Sequence, residues 1–160
     1  MRITLKFLHT LAAIGMIGAL SAHIILLTIM PEPTSLAEYV ALRQGIGAIA
    51  KWLLLPSLGL VLVSGLLAMA FIGNYYNAGW AWLKLGLGVV VFEGTLITVQ
   101  GPATRAAEAS VQLLDGKLDP GAIEAMMRGE WGSLWVILFI ALLNVLLAIW
   151  RPRFTRDTAT

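Results

Sequence analysis

Four apolar stretches, at residues 7–29, 52–72, 81–100 and 131–150, constrain this chain more than any other feature. An α-helix rises about 1.5 Å per residue, so a stretch of roughly 20 residues covers the ~30 Å hydrocarbon layer of a bilayer. Inside that layer every backbone amide and carbonyl needs a partner within the protein, and a helix supplies one for each. Trp52, Trp80, Trp82, Trp131 and Trp150 stand at the ends of these stretches, where an indole can lie half in lipid and half in water. The predicted fold is all-α: an integral membrane four-helix bundle forming a single transmembrane domain, in contact with a lipid bilayer, with a polar helical loop over 101–130.

Composition excludes several classes. Charged residues make up only 12% of the chain and hydrophobic ones 59%, against about a quarter charged in soluble domains. A net charge of +2 with no basic run argues against a nucleic-acid partner. The absence of cysteine removes disulfides, thiolate metal sites, iron–sulfur clusters and covalent haem attachment, so any cofactor must be held by other donors. Arg2 and Lys6 ahead of Ala19-Leu20-Ser21-Ala22 faintly resemble a signal peptide, but the apolar run continues to Met30 and predicts a retained anchor.

Between the spans, Pro31 and Pro33 stop the first helix. Residues 36–51 then read as a helical lead-in to the second span. The short uncharged turn at 73–79 makes spans two and three antiparallel neighbours. Residues 102–114 extend the third helix, and Asp119-Pro120 reads as the start of a lead-in to span four. Pro56 predicts a modest kink. Basic residues divide evenly between the two sides, with Arg2, Lys6, Arg151, Arg153 and Arg156 on one and Arg43, Lys51, Arg105, Lys117 and Arg128 on the other, so charge asymmetry leaves orientation open.

Ionisable groups within a span are costly and default to function or to a named partner. His9, Met16, His23 and Met30 recur every seventh residue, which puts them near one helix face at steps of about 10.5 Å. They read either as gap-filling methionines with histidines bonded to neighbouring helices, or as soft donors for a haem. His9 and His23, about 21 Å apart, cannot serve one iron from one chain. Lys84 should match His9 in depth, as a propionate partner, a second ligand or a lysine snorkelling to the interface. Trp80, Trp82 and Tyr75 would wall that level. At the other level His23 is expected near Lys51, Trp52, Gln100 and Trp131, with Arg43 farther out towards a propionate or a lipid phosphate. Glu93, past the midpoint of span three, is expected to face the bundle near His23, Ser64 or Asn144, as a proton relay or as an interhelical hydrogen bond.

Lys6-Phe7-Leu8-His9 opening span one, Pro56 followed nine residues later by Gly65, Trp80-Ala81-Trp82-Leu83-Lys84-Leu85 opening span three, and the closing Trp150-Arg151-Pro152-Arg153-Phe154 form a set. Together they resemble the HemJ-type protoporphyrinogen oxidases and the related CopD-like four-helix membrane proteins of bacteria. The likeness covers all four spans. It implies b-type haem, oxidation of protoporphyrinogen to protoporphyrin, His9 as axial ligand and Lys84 as the matching basic residue. In span three Glu93-Gly94 stand where that family is expected to carry a histidine.

The expectation is a haem b protein of the bacterial inner membrane supporting a redox step, either porphyrinogen oxidation or electron transfer. His9 or His23 would be the iron ligand, Met16 a further soft donor, and Lys84, Arg43, Lys51, Trp80 and Trp82 the surroundings, with Glu93 moving a proton. A porphyrin or quinone, a second copy or a partner membrane protein are the expected partners. An alternative is a non-enzymatic membrane subunit or assembly factor. A third is a metal or small-molecule carrier, although no inverted repeat or broken span supports alternating access.

Overall fold

The computed structural model describes residues 2–29, 35–73, 78–119, 121–122, 125 and 128–150. Among them are four helices long and apolar enough to cross a membrane: Ile3–Ile29, Leu36–Phe71, Gly79–Leu114 and Glu130–Trp150. The architecture is an all-α four-helix membrane bundle. Its elements are α1 (Arg2–Ile29), α2 (Leu36–Ile49), α3 (Leu55–Phe71), α4 (Gly79–Thr95), α5 (Gly101–Leu114) and α6 (Glu130–Trp150). The lead-in at 36–51 and the extension at 102–114 are helical as expected. Ser35 caps α2 by accepting from the Glu38 amide. The sequence reading of Asp119-Pro120 falls partly outside the described residues, as do Met30 and Tyr75.

Both long helices change gauge at the same place. Ala50–Leu54 joins α2 to α3 as one π-helical turn, and Leu96–Gln100 joins α4 to α5 as another. Each precedes a proline, in Leu55-Pro56 and Gly101-Pro102. A proline within a helix has no amide for the carbonyl four residues back, and its ring collides with that carbonyl. Widening the preceding turn relieves the collision: Leu55 donates to the Ala50 carbonyl and Gly101 to the Leu96 carbonyl, five residues back in both cases. The helix therefore runs on through Pro56. The two π turns touch each other across the bundle.

Beyond the π turns, α2 and α5 pack closely against each other, whereas α3 and α4 meet much less extensively. The close pair is built from small residues. A Cβ on Gly47 would lie 2.6 Å from the Ala107 Cβ, so the backbones can approach this far only with glycine there. Gln44 then donates to the Ala107 carbonyl across the seam. Gly47→Val is expected to force the seam apart at a cost of about 1–3 kcal/mol, read as a lowered midpoint of thermal unfolding in detergent. Gly45, with nothing within 4 Å of its would-be Cβ, supplies the control: Gly45→Val should shift the midpoint much less.

α1 lies along α3, and α6 along α4. At mid-bundle Met16, Leu20, Leu58, Val91, Leu134 and Ile137 close into a core. On one side of that core the four spans separate around a cavity; on the other they close over a cluster of charged side chains.

Candidate functional site

The cavity, about 350 Å³ in volume, is enclosed by α1, α3, α4 and α6. Its size falls within the ~300–1,000 Å³ of small-molecule sites. The polar groups on its wall are few: Lys6, His9 and Thr10 from α1, Trp80 and Lys84 from α4, and Asn144 from α6, with Met16 at its inner end. His9 and Lys84 thus share one chamber, as their matched depth predicts.

The His9 ring is fixed by α3. Its Nδ1 lies 2.9 Å from Ser64 Oγ and 3.1 Å from the Val61 carbonyl oxygen. The Ser64 hydroxyl donates to the Leu60 carbonyl, so its oxygen is left to accept, and a carbonyl only accepts. Both partners therefore require the proton on Nδ1, and Nε2 keeps its lone pair. A Cβ on Gly65 would stand 3.6 Å from His9 Cε1, an ordinary contact distance, so the ring lies alongside this turn of α3. Opposite, the Asn144 amide donates to the Lys84 carbonyl (3.3 Å) and accepts from the Gly88 amide (3.2 Å) in the orientation these partners dictate. That bridge ties α6 to the turn of α4 that carries Lys84. The Lys84 ammonium is within electrostatic reach of the imidazole.

At the other end, His23 donates from Nε2 to Glu130 Oε1 (2.8 Å), and Arg43 Nη1 donates to Glu130 Oε2 (3.1 Å). Arg43 Nε donates in turn to the Tyr39 hydroxyl (3.3 Å), and the guanidinium lies 5.5 Å from the centre of that ring. His23, Arg43 and Glu130 are 1%, 7% and 8% exposed, so this is a buried ion-pair cluster joining α1, α2 and α6. Among the described residues His23 Nδ1 has no hydrogen-bond partner, and neither has the fully buried Thr95 hydroxyl.

Several expected placements are corrected. Arg43 does not reach outward to a phosphate or propionate; it is buried and neutralised by Glu130. Lys51 and Trp52 do not join His23: both are exposed, the ammonium lying 5.5 Å from the indole centre on the outer surface. Gln100 bonds Thr104 of its own helix. Trp80 lines the cavity but Trp82 faces outward, half exposed. Glu93 does not face the bundle; it is exposed, while Ser64 is taken by His9, Asn144 by α4 and His23 by Glu130. His23 lies beyond the cavity's inner end and is not on its wall.

Glu130 was absent from the sequence-derived candidates. The one local signal is a lone acid in the first helical turn beside Trp131, where the N-terminal dipole also favours a negative charge. Its partners lie 87 and 107 residues away.

Compared with protein-family models, curated proteins and solved structures, the chain finds no match in any of the three.

Proposed function

We propose that the cavity holds a b-type haem ligated by His9 and that the protein supports a redox step in the bacterial cytoplasmic membrane, by porphyrinogen oxidation or by electron transfer. The observation carrying this reading is the anchored imidazole. A histidine whose Nδ1–H is held by a carbonyl and a hydroxyl offers Nε2 in a fixed direction, which is how iron- and zinc-bound histidines are held. Among the described residues no three His, Asp or Glu side chains gather to cage a bare metal ion. The donor set therefore suits a cofactor that brings most of its own ligands.

The remaining wall fits that group. Gly65, Gly88, Ala13, Ala68 and Ala81 leave room for a flat apolar body. Lys6 and Lys84 would hold its carboxylates, and Lys84 could instead be a further nitrogen donor to its iron. Bound haem supplies one-electron chemistry at a potential set by axial ligation and burial. The chain's own part is to orient the ligand through Ser64 and Val61, to neutralise carboxylates in a medium of low dielectric, and to exclude water with an otherwise apolar lining. Glu93, on the outer surface, takes no part in this chamber.

The test is an optical spectrum of protein purified after haem-replete expression. A Soret band with reduced α and β bands near one haem per chain is the expected result. Haem-free protein that also fails to take up added hemin would end the proposal.

A further inference from the structure

Asn144 interrupts an apolar run of α6. Leu142, Leu143, Val145 and Leu146 beside it are all exposed, whereas its amide turns towards α4. An amide in hydrocarbon is costly without partners, so what it bonds decides which way it points. It donates to the Lys84 carbonyl (3.3 Å) and accepts from the Gly88 amide (3.2 Å). These are the two backbone groups that bond each other in a regular α-helix, so one side chain of α6 lies across a single hydrogen bond of α4. Seven residues earlier, on the same face of α6, Ile137 Cδ1 lies 2.9 Å from where a Cβ on Gly94 would stand. That apolar contact sets how near the two helices come. The Asn144 amide adds a direction.

We propose that Asn144 is a positioning residue for Lys84: by holding both ends of that bond, it fixes the turn of α4 whose side chain enters the chamber. Lys84 has a competing position. It lies five residues beyond Gly79 at the start of α4, about 7.5 Å along the axis, close enough for its four-carbon stem to snorkel through lipid to the interface. Apolar packing does little to prevent this, because inward Ala81 and Val91 and outward Leu83, Val89 and Val90 differ little in polarity. A donor and an acceptor on α6 do distinguish the two settings, since the backbone groups of Lys84 and Gly88 turn towards α6 in only one of them. The orientation of Lys84 is independent of what fills the chamber, whereas its effect on hemin affinity rests on the cofactor reading above.

Two measurements test this, and the first needs no ligand. In nanodiscs, amide hydrogen exchange of the segment 84–88 should quicken about 3- to 20-fold in Asn144→Leu, the range of interhelical hydrogen bonds in membranes. Exchange of 61–65 on α3 should stay as in the wild type. The second measurement reads Lys84 by hemin titration. Asn144→Leu should lower hemin affinity about 3- to 20-fold in the otherwise native chain, but less than about 2-fold in a Lys84→Leu background, where no ammonium is left to position. Asn144→Gln, with the same amide on a longer stem, should lose less than Asn144→Leu. Unchanged exchange at 84–88 would overturn the proposal. So would an equal loss of affinity with and without Lys84, which would make Asn144 a packing residue of the whole chamber. A chain that takes up no hemin in any form ends the cofactor reading and leaves the exchange comparison to decide this one.

Discussion

On the proposed assignment, replacing His9 with alanine is expected to yield folded, membrane-inserted protein that no longer takes up haem. The imidazole lines a cavity and is not packed into the core, and its removal forfeits hydrogen bonds to Ser64 Oγ and the Val61 carbonyl, at about 1 kcal/mol each. That is small beside the stability of a bundle. A haem held as proposed, by contrast, would lose its iron ligand. Changes in the partners of a metal-bound histidine lower affinity about 10- to 100-fold, so deleting the ligand itself should exceed 100-fold. Hemin titration of the apoprotein would show it, with circular dichroism confirming an unchanged helix content.

Ser64→Ala sharpens the test. The Val61 carbonyl still accepts from Nδ1, so the ring keeps one of its two anchors and the loss should lie near the lower end, about 10-fold. Full-affinity binding in His9→Ala would remove the imidazole from the assignment. A spectrum restored in that variant by added free imidazole would identify the vacant axial position. If Lys84 is the second axial ligand, Lys84→Met should change the position of the Soret band. If it pairs with a propionate, the same change should lower affinity without moving the band.

How much of this was legible in the sequence follows from what hydropathy encodes. Segment length and the interfacial tryptophans locate the four spans, because bilayer thickness and indole partitioning act on each segment independently. Counting residues at 1.5 Å per residue also brought His9 and Lys84 to one depth, since antiparallel packing fixes depth with little help from side chains. Rotation about the helix axis is different. In α4 and the π turn that follows it, the inward positions Ala81, Val91 and Thr95 and the outward positions Val89, Val90 and Ile97 are almost equally apolar. In a soluble helix the polar face marks the outside, but lipid removes that contrast. Glu93 was turned inward on cost alone, and the structure turns it out. For the same reason nothing local distinguishes Trp80, on the cavity wall, from Trp82, on the outside. Arg43 and Glu130 were illegible for a separate reason: each read alone is a charge near a span end, and only tertiary packing reveals that they neutralise each other. The prolines were visible, but the π turns that accommodate them, and their contact across the bundle, arise from how two helices share one level.

Glu130→Ala is expected to be the most destabilising of the single changes considered. The carboxylate is 8% exposed, accepts from both His23 and Arg43, and holds the first turn of α6 to α1 and α2. Its removal leaves the guanidinium buried without a counter-charge, which costs about 3–5 kcal/mol where a buried pair is broken from one side. For a chain of this length that corresponds to a fall of about 10 °C in the unfolding midpoint. Glu130→Gln should fall between, because the amide oxygen still accepts from His23 Nε2 while the charge facing Arg43 is gone. Replacing the whole cluster with apolar residues, as His23→Leu, Arg43→Met and Glu130→Leu together, removes all three polar groups and should recover most of the loss. That recovery separates an ion pair from simple packing, since three cavities would add their costs. A midpoint within about 2 °C of wild type for Glu130→Ala would mean that the pair is solvated. The proposed haem site gives an internal control: His23 lies fourteen residues, about 21 Å, along α1 from His9, so folded Glu130→Ala should take up hemin as the wild type does even as α6 frays at its start.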